Sequence, residues 1–231
     1  MVKRLAIIPA RKGSKRLKNK NIKLFFNKPI IIYSIETTIQ SEIFDTIHLS
    51  TDSKRILELG ISKGLEKVPL REKKLSKDNV PLLNVLKSVY FYYQKKDILF
   101  DEIWLIMPCA PLLVVEDLIG AKNLFAKYKG KFPVMPVTKF SAPIQRAHSM
   151  DKNFFLKQVT KTIKVKSQNY KNYYHDTGAF AIFPKYIFNE KKKLKWLGYE
   201  IPRERSVDID DINDWKIAEA LFAAFNKSVI K

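Results

Sequence analysis

At 231 residues, with 46% hydrophobic and 12% aromatic side chains, the chain has enough apolar surface for a packed core, which excludes intrinsic disorder. A lone cysteine, Cys109, excludes an internal disulfide framework and a cysteine-rich zinc site, and with neither a leader pattern nor an apolar run of roughly 18 residues the expectation is a cytoplasmic protein with no membrane association. The formal charge of +20 comes from lysine scattered through nearly every segment, with only eight arginines, which reads as a solvated surface attracting polyanions without specificity.

Residues 4–8, RLAII, form an apolar run stopped by Pro9 and predict a buried first strand. The basic stretch PARKGSKRLKNKN (9–21) follows as a loop. IIIYSIETTIQ has helical length, with Pro29 near its first turn. TIHLSTD (46–52) predicts a second strand, after which Asp52 or Ser53 caps the helix KRILELGISKG. PLLNVLKSVYFYYQ is a third helical pattern, EIWLIMP (102–108) a strand, VEDLIGAKNLFAKY a helix closed by Gly130, and FPVMPVT a strand. From about 139 to 174 the rhythm breaks, and FFLKQVTKTIKVKSQ alternates like an antiparallel hairpin or an arm. TGAFAIF (177–183) returns as a strand, and DDINDWKIAEALFAAF is a closing amphipathic helix. Strand and helix alternating with short connections predict an α/β domain with a mainly parallel sheet covered on both faces, carrying one β-rich insertion.

Ligands of open parallel sheets bind at the carboxyl ends of strands, which is where the basic loop leaves the first one. Backbone N–H groups around Gly13 are placed to face phosphate oxygens, with Arg11, Lys15, Arg16 and Lys20 neutralising them. The alternative is a loop that is merely basic and solvated. Neither G-x-x-x-x-G-K-[ST] nor G-x-G-x-x-G is present. In SVDIDDINDW (206–215), Asp208 and Asp210 alternate in an extended segment, with Ile209 facing inward. Two hard carboxylates together suit magnesium shared with substrate phosphates; Asp211 alternatively caps the last helix. A polyanion loop and a carboxylate pair in one α/β domain point to nucleotidyl transfer. No interleaved aromatic and basic patch supports specific nucleic-acid binding.

P-A-R-K-G-S-K-R-L-K-N-K-N-I resembles the signature of the sialic-acid-type cytidylyltransferases, which activate nine-carbon keto sugar acids with CTP. The similarity continues through YSIE, LSTDS, PLREKKLS, PCAPLL and DIDDINDW, nearly the whole chain. FSAPIQRA, SQNYKNYYHDTGAFAIF and IPRERSVDID are similar to the branch that uses pseudaminic acid. The resemblance implies a three-layer α/β/α Rossmann-like nucleotidyltransferase fold across 1–231, with the excursion at about 139–174 serving dimerisation or the sugar site. It implies CTP as co-substrate, a nonulosonic acid as acceptor, magnesium as cofactor and a homodimer. Carried over by motif, Ala10, Arg11, Gly13, Ser14, Lys15, Arg16, Lys20, Asn21 and Arg71 meet the nucleotide. Arg11, Lys20, Asp208 and Asp210 carry catalysis, the last two through the metal. Gln145 and Arg146 are candidates for the sugar acid, while His175 and Asp176 either line its pocket or brace the sheet. Lys18 stands where the family usually has proline, and Cys109 where it usually has threonine.

Overall fold

The computed structural model describes residues 2–14, 16–159, 170–188 and 194–226. The chain opens with strand β1 (Arg4–Pro9), and a miniature hairpin of β2 (Leu24–Phe25) and β3 (Lys28–Pro29) then leads into α1 (Ile30–Gln40). Next come β4 (Thr46–Ser50), α2 (Lys54–Ile61), α3 (Leu82–Gln94), β5 (Glu102–Ile106), α4 (Val115–Lys127) and β6 (Val134–Lys139). The final part holds β7 (His148–Met150), β8 (Leu156–Gln158), β9 (Tyr174–Asp176), β10 (Phe180–Pro184), β11 (Leu197–Glu200) and α5 (Ile212–Phe225).

Local chemistry sets the boundaries. Ser53 starts α2 by accepting from the Ile56 N–H at 3.4 Å, while Asp52 accepts instead from the Lys12 N–H at 2.7 Å. Asp211 caps α5 by accepting from the N–H groups of Asn213 and Asp214, at 2.7 and 3.1 Å, and the Asp214 carboxylate reaches back to the Asp211 N–H at 3.0 Å. Past α4 the chain reverses at Gly130, whose φ of +63° is open to glycine.

The main sheet runs β11-β6-β10-β5-β1-β4. β1 pairs in parallel with β4 and β5, β11 pairs in parallel with β6, and β10 lies antiparallel between β5 and β6. Alternation then puts Leu5, Ile7, Ile103, Leu105, Ala181 and Phe183 on the face packed by α3. Ala6, Ile8, Trp104, Ile106, Phe180 and Ile182 take the other face, under α1, α2 and α4. Each fully buried Ile or Phe stabilises by about 1.5–3 kcal/mol, so both layers hold the sheet. A third cluster joins Phe25, Ile30 and Leu112 to Trp215 and Phe222 of α5, with Phe25 set edge-on to both Trp215 and Phe222 at 5.4 Å. Ile209 belongs to this cluster and is 1% exposed.

Two features escape the alternating rhythm. β10 pairs Ile182 with Val134, and β9 pairs Asp176 with Val137, so six residue steps on one side match three on the other. The Thr177 N–H still donates to the Pro136 carbonyl at 3.2 Å, so the three extra residues bulge from the ladder after it, from Gly178 onward. The expected hairpin or arm pairs β8 with β7, which precedes it, off the main sheet; residues 160–169 of that stretch lie outside the described residues. Among the described residues, no helix is long and apolar enough to cross a membrane.

Candidate active site

The carboxyl ends of β1, β4 and β5 and the bulge before β10 meet at one edge of the sheet, around a cleft of about 480 Å³. The basic loop forms one wall and is clamped from within. The Ala10 N–H donates to the Ser50 carbonyl at 2.8 Å, and the Asn21 amide donates to the Arg11 carbonyl at 2.9 Å. Asn21 also accepts from the Cys109 thiol at 3.1 Å, so one buried side chain fastens the loop to the segment after β5. Burial pushes the Cys109 thiol up to about 12, which leaves it protonated and inert at neutral pH. Lys18 and Asn19 form a turn in which the Lys20 N–H donates to the Leu17 carbonyl at 3.1 Å and Asn19 adopts a φ of +55°.

The opposite wall is the segment before α5. With Ile209 held in the third cluster, Asp208 and Asp210 both turn to the cleft. Lys20 donates to the Ile209 carbonyl and lies 3.7 Å from Asp210, which Arg16 also meets at 2.8 Å. Burial raises the pKa of Asp208 and Asp210 raises it further; Lys20 opposes them, and Asp176 and Asp214 add smaller upward influences. Negative field around Asp208 thus exceeds what the nearby lysine offsets, a setting that favours a bound cation. Two hard carboxylates facing a cleft fit magnesium, although no group of three or more metal-ligating side chains occurs among the described residues. Gly178 is fitted to this wall: its φ is +66°, and a Cβ there would sit 3.0 Å from the Asp208 carboxylate.

The third side carries arginines. The segment after α2 docks on β4 through the Arg71 N–H, which donates to the Thr51 carbonyl at 2.7 Å. The Arg71 guanidinium bonds the Ser50 hydroxyl at 3.1 Å and also the Ser50 carbonyl, leaving it fixed at the cleft edge. Burial lowers its pKa, Asp52 counters this, and Arg11 adds to the lowering. Behind it, His48 is pushed down to about 4 by burial and then by Arg71, so it is neutral near pH 7. Arg205 lines the cleft and forms a two-pronged pair with Asp117, a carboxylate 2% exposed near the start of α4.

Arg11, Ser14, Arg16, Lys20, Asn21, Arg71, Asp208 and Asp210 are thus brought together around one cleft. Ala10 is buried beneath it and Gly13 is exposed on the loop without lining it, and Lys15 lies outside the described residues. The four sugar-acid candidates do not line it either. Gln145 is buried at the root of the arm, where its amide donates to the Lys171 carbonyl at 3.4 Å, and Arg146 is exposed. His175 packs on Phe140 at 4.9 Å, and Asp176 accepts from the Gly178 N–H at 2.9 Å, contacts that brace the bulge. Sequence reasoning passed over Asp78, Thr177, Gly178 and Arg205 as site residues. Arg205 lies in the family-like run IPRERSVDID and is one of only eight arginines, and nothing in the local pattern marks Asp78.

A mixed, mainly parallel sheet with cations and a carboxylate pair facing one another at its carboxyl edge defines an α/β protein of the nucleotidyltransferase type. The structure aligns with CMP:2-keto-3-deoxy-manno-octonic acid synthetase complexed with CTP, at a TM-score of 0.71 and 13% identity, over 96% of this chain and 99% of that one. It also aligns with 4-diphosphocytidyl-2C-methyl-D-erythritol synthase from Anaerococcus prevotii, at 0.58 and 15%, over 95% and 97%. The chain belongs to the cytidylyltransferase family, whose model matches residues 5–101, and is therefore an enzyme of nucleotidyl transfer. It is 34% identical to the pseudaminic acid cytidylyltransferase of Campylobacter jejuni, over 98% of this chain and 99% of that one. It is 29% identical to the CMP-N,N'-diacetyllegionaminic acid synthase of Legionella pneumophila, over the same shares.

Proposed function

We propose that this enzyme transfers CMP from CTP to the anomeric hydroxyl of a nine-carbon keto sugar acid, with pseudaminic acid as the first choice. The hydroxyl oxygen forms a bond to the α-phosphorus, the bond from that phosphorus to the bridging oxygen breaks, pyrophosphate leaves, and the hydroxyl proton passes to solvent. The carrying observation is the opposition of the loop cations Arg11, Arg16 and Lys20 to the pair Asp208 and Asp210 across one cleft. Such a transfer needs mostly positioning and charge neutralisation, which these groups supply. Ser14 adds a hydroxyl donor, Asn21 holds the loop in shape, and Arg71 holds the nucleotide at the edge of β4. Asp208 and Asp210 are the residues that would hold magnesium, whose charge would ease loss of the hydroxyl proton and offset the phosphates. None of the three histidines lines the cleft, so no histidine base enters this reading.

Relatives acting on pseudaminic, diacetyllegionaminic and acylneuraminic acids support the acceptor class, and the 34% identity favours the first. Incubating the enzyme with CTP, magnesium and each sugar acid, then weighing the CMP-sugar by mass spectrometry, is expected to give most product with pseudaminic acid. No product with any of the three would end the proposal. A cytoplasmic location is part of this proposal, supported by the need for free CTP as co-substrate.

We also propose that residues 1–231 work as one catalytic domain in a homodimer, paired through the excursion at about 139–174. Met150, Phe154, Phe155, Leu156 and Val159 on this arm are 62–79% exposed, a cluster that a second copy of the arm would cover. Sedimentation is expected to give twice the 26.9 kDa chain mass, and Phe154→Asp with Leu156→Asp to give the monomer. A wild-type chain that stays monomeric would remove the dimer.

A further inference from the structure

The segment between α2 and α3 contributes Arg71 and Asp78 to the cleft lining, and Asp78 forms an ion pair with Arg11 of the basic loop, 67 positions away in the chain. Both side chains line the cleft, and both are partly exposed, at 35% and 41%. Arg16 and Lys20 meet Asp210 on the far wall in the same manner. Arg11, Arg16 and Lys20 are thus each paired with one of the protein's own carboxylates. Asp210 has a further task in the proposed metal pair, whereas Asp78 belongs to no such pair and stands directly against Arg11.

We propose that Asp78 is an internal competitor for the phosphate position on Arg11 and thereby sets how tightly CTP and pyrophosphate are held. This rests on the reading above, in which Arg11 meets the triphosphate. Carboxylate and phosphate oxygens are the same kind of acceptor for a guanidinium. A phosphate arriving at Arg11 must either displace Asp78 or sit beside it against like-charge repulsion, and both outcomes weaken binding relative to a neutral side chain. The magnitude suits a competitor that yields. An ion pair this exposed is weak and screened by salt, so a highly charged triphosphate displaces it. If both ligands set phosphate oxygens at Arg11, Asp78 opposes the leaving pyrophosphate as it opposes CTP, and its return to Arg11 favours clearance of the site.

Asp78→Asn removes the charge at nearly constant shape, and Asp78→Glu keeps it. Calorimetric titration of wild type and both variants with CTP, and separately with inorganic pyrophosphate, is the test. Asp78→Asn is expected to bind both ligands about 3- to 10-fold more tightly at low salt, with the gain shrinking as salt rises. Asp78→Glu is expected to stay near wild type, and pyrophosphate is expected to inhibit Asp78→Asn at correspondingly lower concentration. Unchanged or weaker binding by Asp78→Asn overturns the proposal and makes Asp78 a residue that positions Arg11. If no variant binds CTP while pyrophosphate still tightens in Asp78→Asn, the nucleotide reading falls and the competition stands.

Discussion

Asp208→Ala is expected to lower kcat by about 10²- to 10³-fold or more while leaving the fold and its melting temperature intact. The carboxylate faces the cleft beside Asp210, and no protein hydrogen bond that holds the fold runs through it in the described structure. Its removal takes one of two hard oxygen donors from the proposed metal pair, while Arg11, Arg16 and Lys20 remain to face the phosphates. The effect on stability has the opposite sign to the usual loss of a buried carboxylate. Burial, then Asp210, raise the folded-state pKa of Asp208 above the ordinary 3.8, so ionisation disfavours the folded chain. That penalty is absent below the ordinary value and fully present once pH exceeds the raised one. In chelator at pH 7, Asp208→Asn is therefore expected to melt at the wild-type temperature or above it. Thermal melts alongside steady-state kinetics check both halves. Retained turnover would remove Asp208 from the chemistry, and a large fall in melting temperature would make its role structural.

Lys20→Ala carries the second large effect, because one ammonium serves both walls. It donates to the Ile209 carbonyl, lies 3.7 Å from Asp210 and is only 21% exposed. Ile209 sits in the aromatic cluster of α5, so this bond fastens the basic loop to the packed segment carrying the carboxylates. Truncation removes a charge-assisted hydrogen bond worth about 1.5–3 kcal/mol of stability. It also removes a cation from the proposed triphosphate site, and kcat/KM for CTP is expected to fall by about 10²- to 10³-fold. Lys20→Arg keeps the charge but replaces a compact ammonium with a planar fork that does not fit one carbonyl between two acids. Only partial recovery is expected from it, and full recovery would show that charge alone is needed.

Much of this site was legible in the sequence because its parts are local. The apolar run at 4–8 ends in a strand whose exit must lie at the ligand edge of a parallel sheet, so Arg11, Arg16 and Lys20 could be placed before any contact was known. Asp208 and Asp210 were legible for a similar reason: alternation about an apolar Ile209 sends both carboxylates one way. Where the pattern left two choices, the structure sometimes uses both. Asp211 caps α5 while its neighbours face the cleft, and Ser53 caps α2 while Asp52 holds the basic loop.

What the pattern could not carry was pairing. TGAFAIF reads as a strand whichever way it runs, and only the sheet makes β10 antiparallel between β5 and β6. β9 and β11 are three and four residues long and largely exposed or half-buried, with too little apolar alternation to announce a strand. The bulge after Thr177 arises from a slip between two partners far apart in sequence, and it turns Gly178 toward Asp208. Gln145, Arg146, His175 and Asp176 were chosen from runs that resemble a family, and the structure puts them beside the arm and the bulge, outside the cleft lining.

By itself, then, the sequence determined the helices and the buried strands, the basic loop at a strand end and the carboxylate pair, all of which follow from side-chain periodicity and backbone chemistry over a few residues. Only the tertiary structure decided that Asp78 crosses to Arg11, that Arg205 is gripped by Asp117, and that Lys20 bridges the two walls. Those contacts join positions 67 to 189 residues apart, and they form only once the sheet has brought its carboxyl edges together.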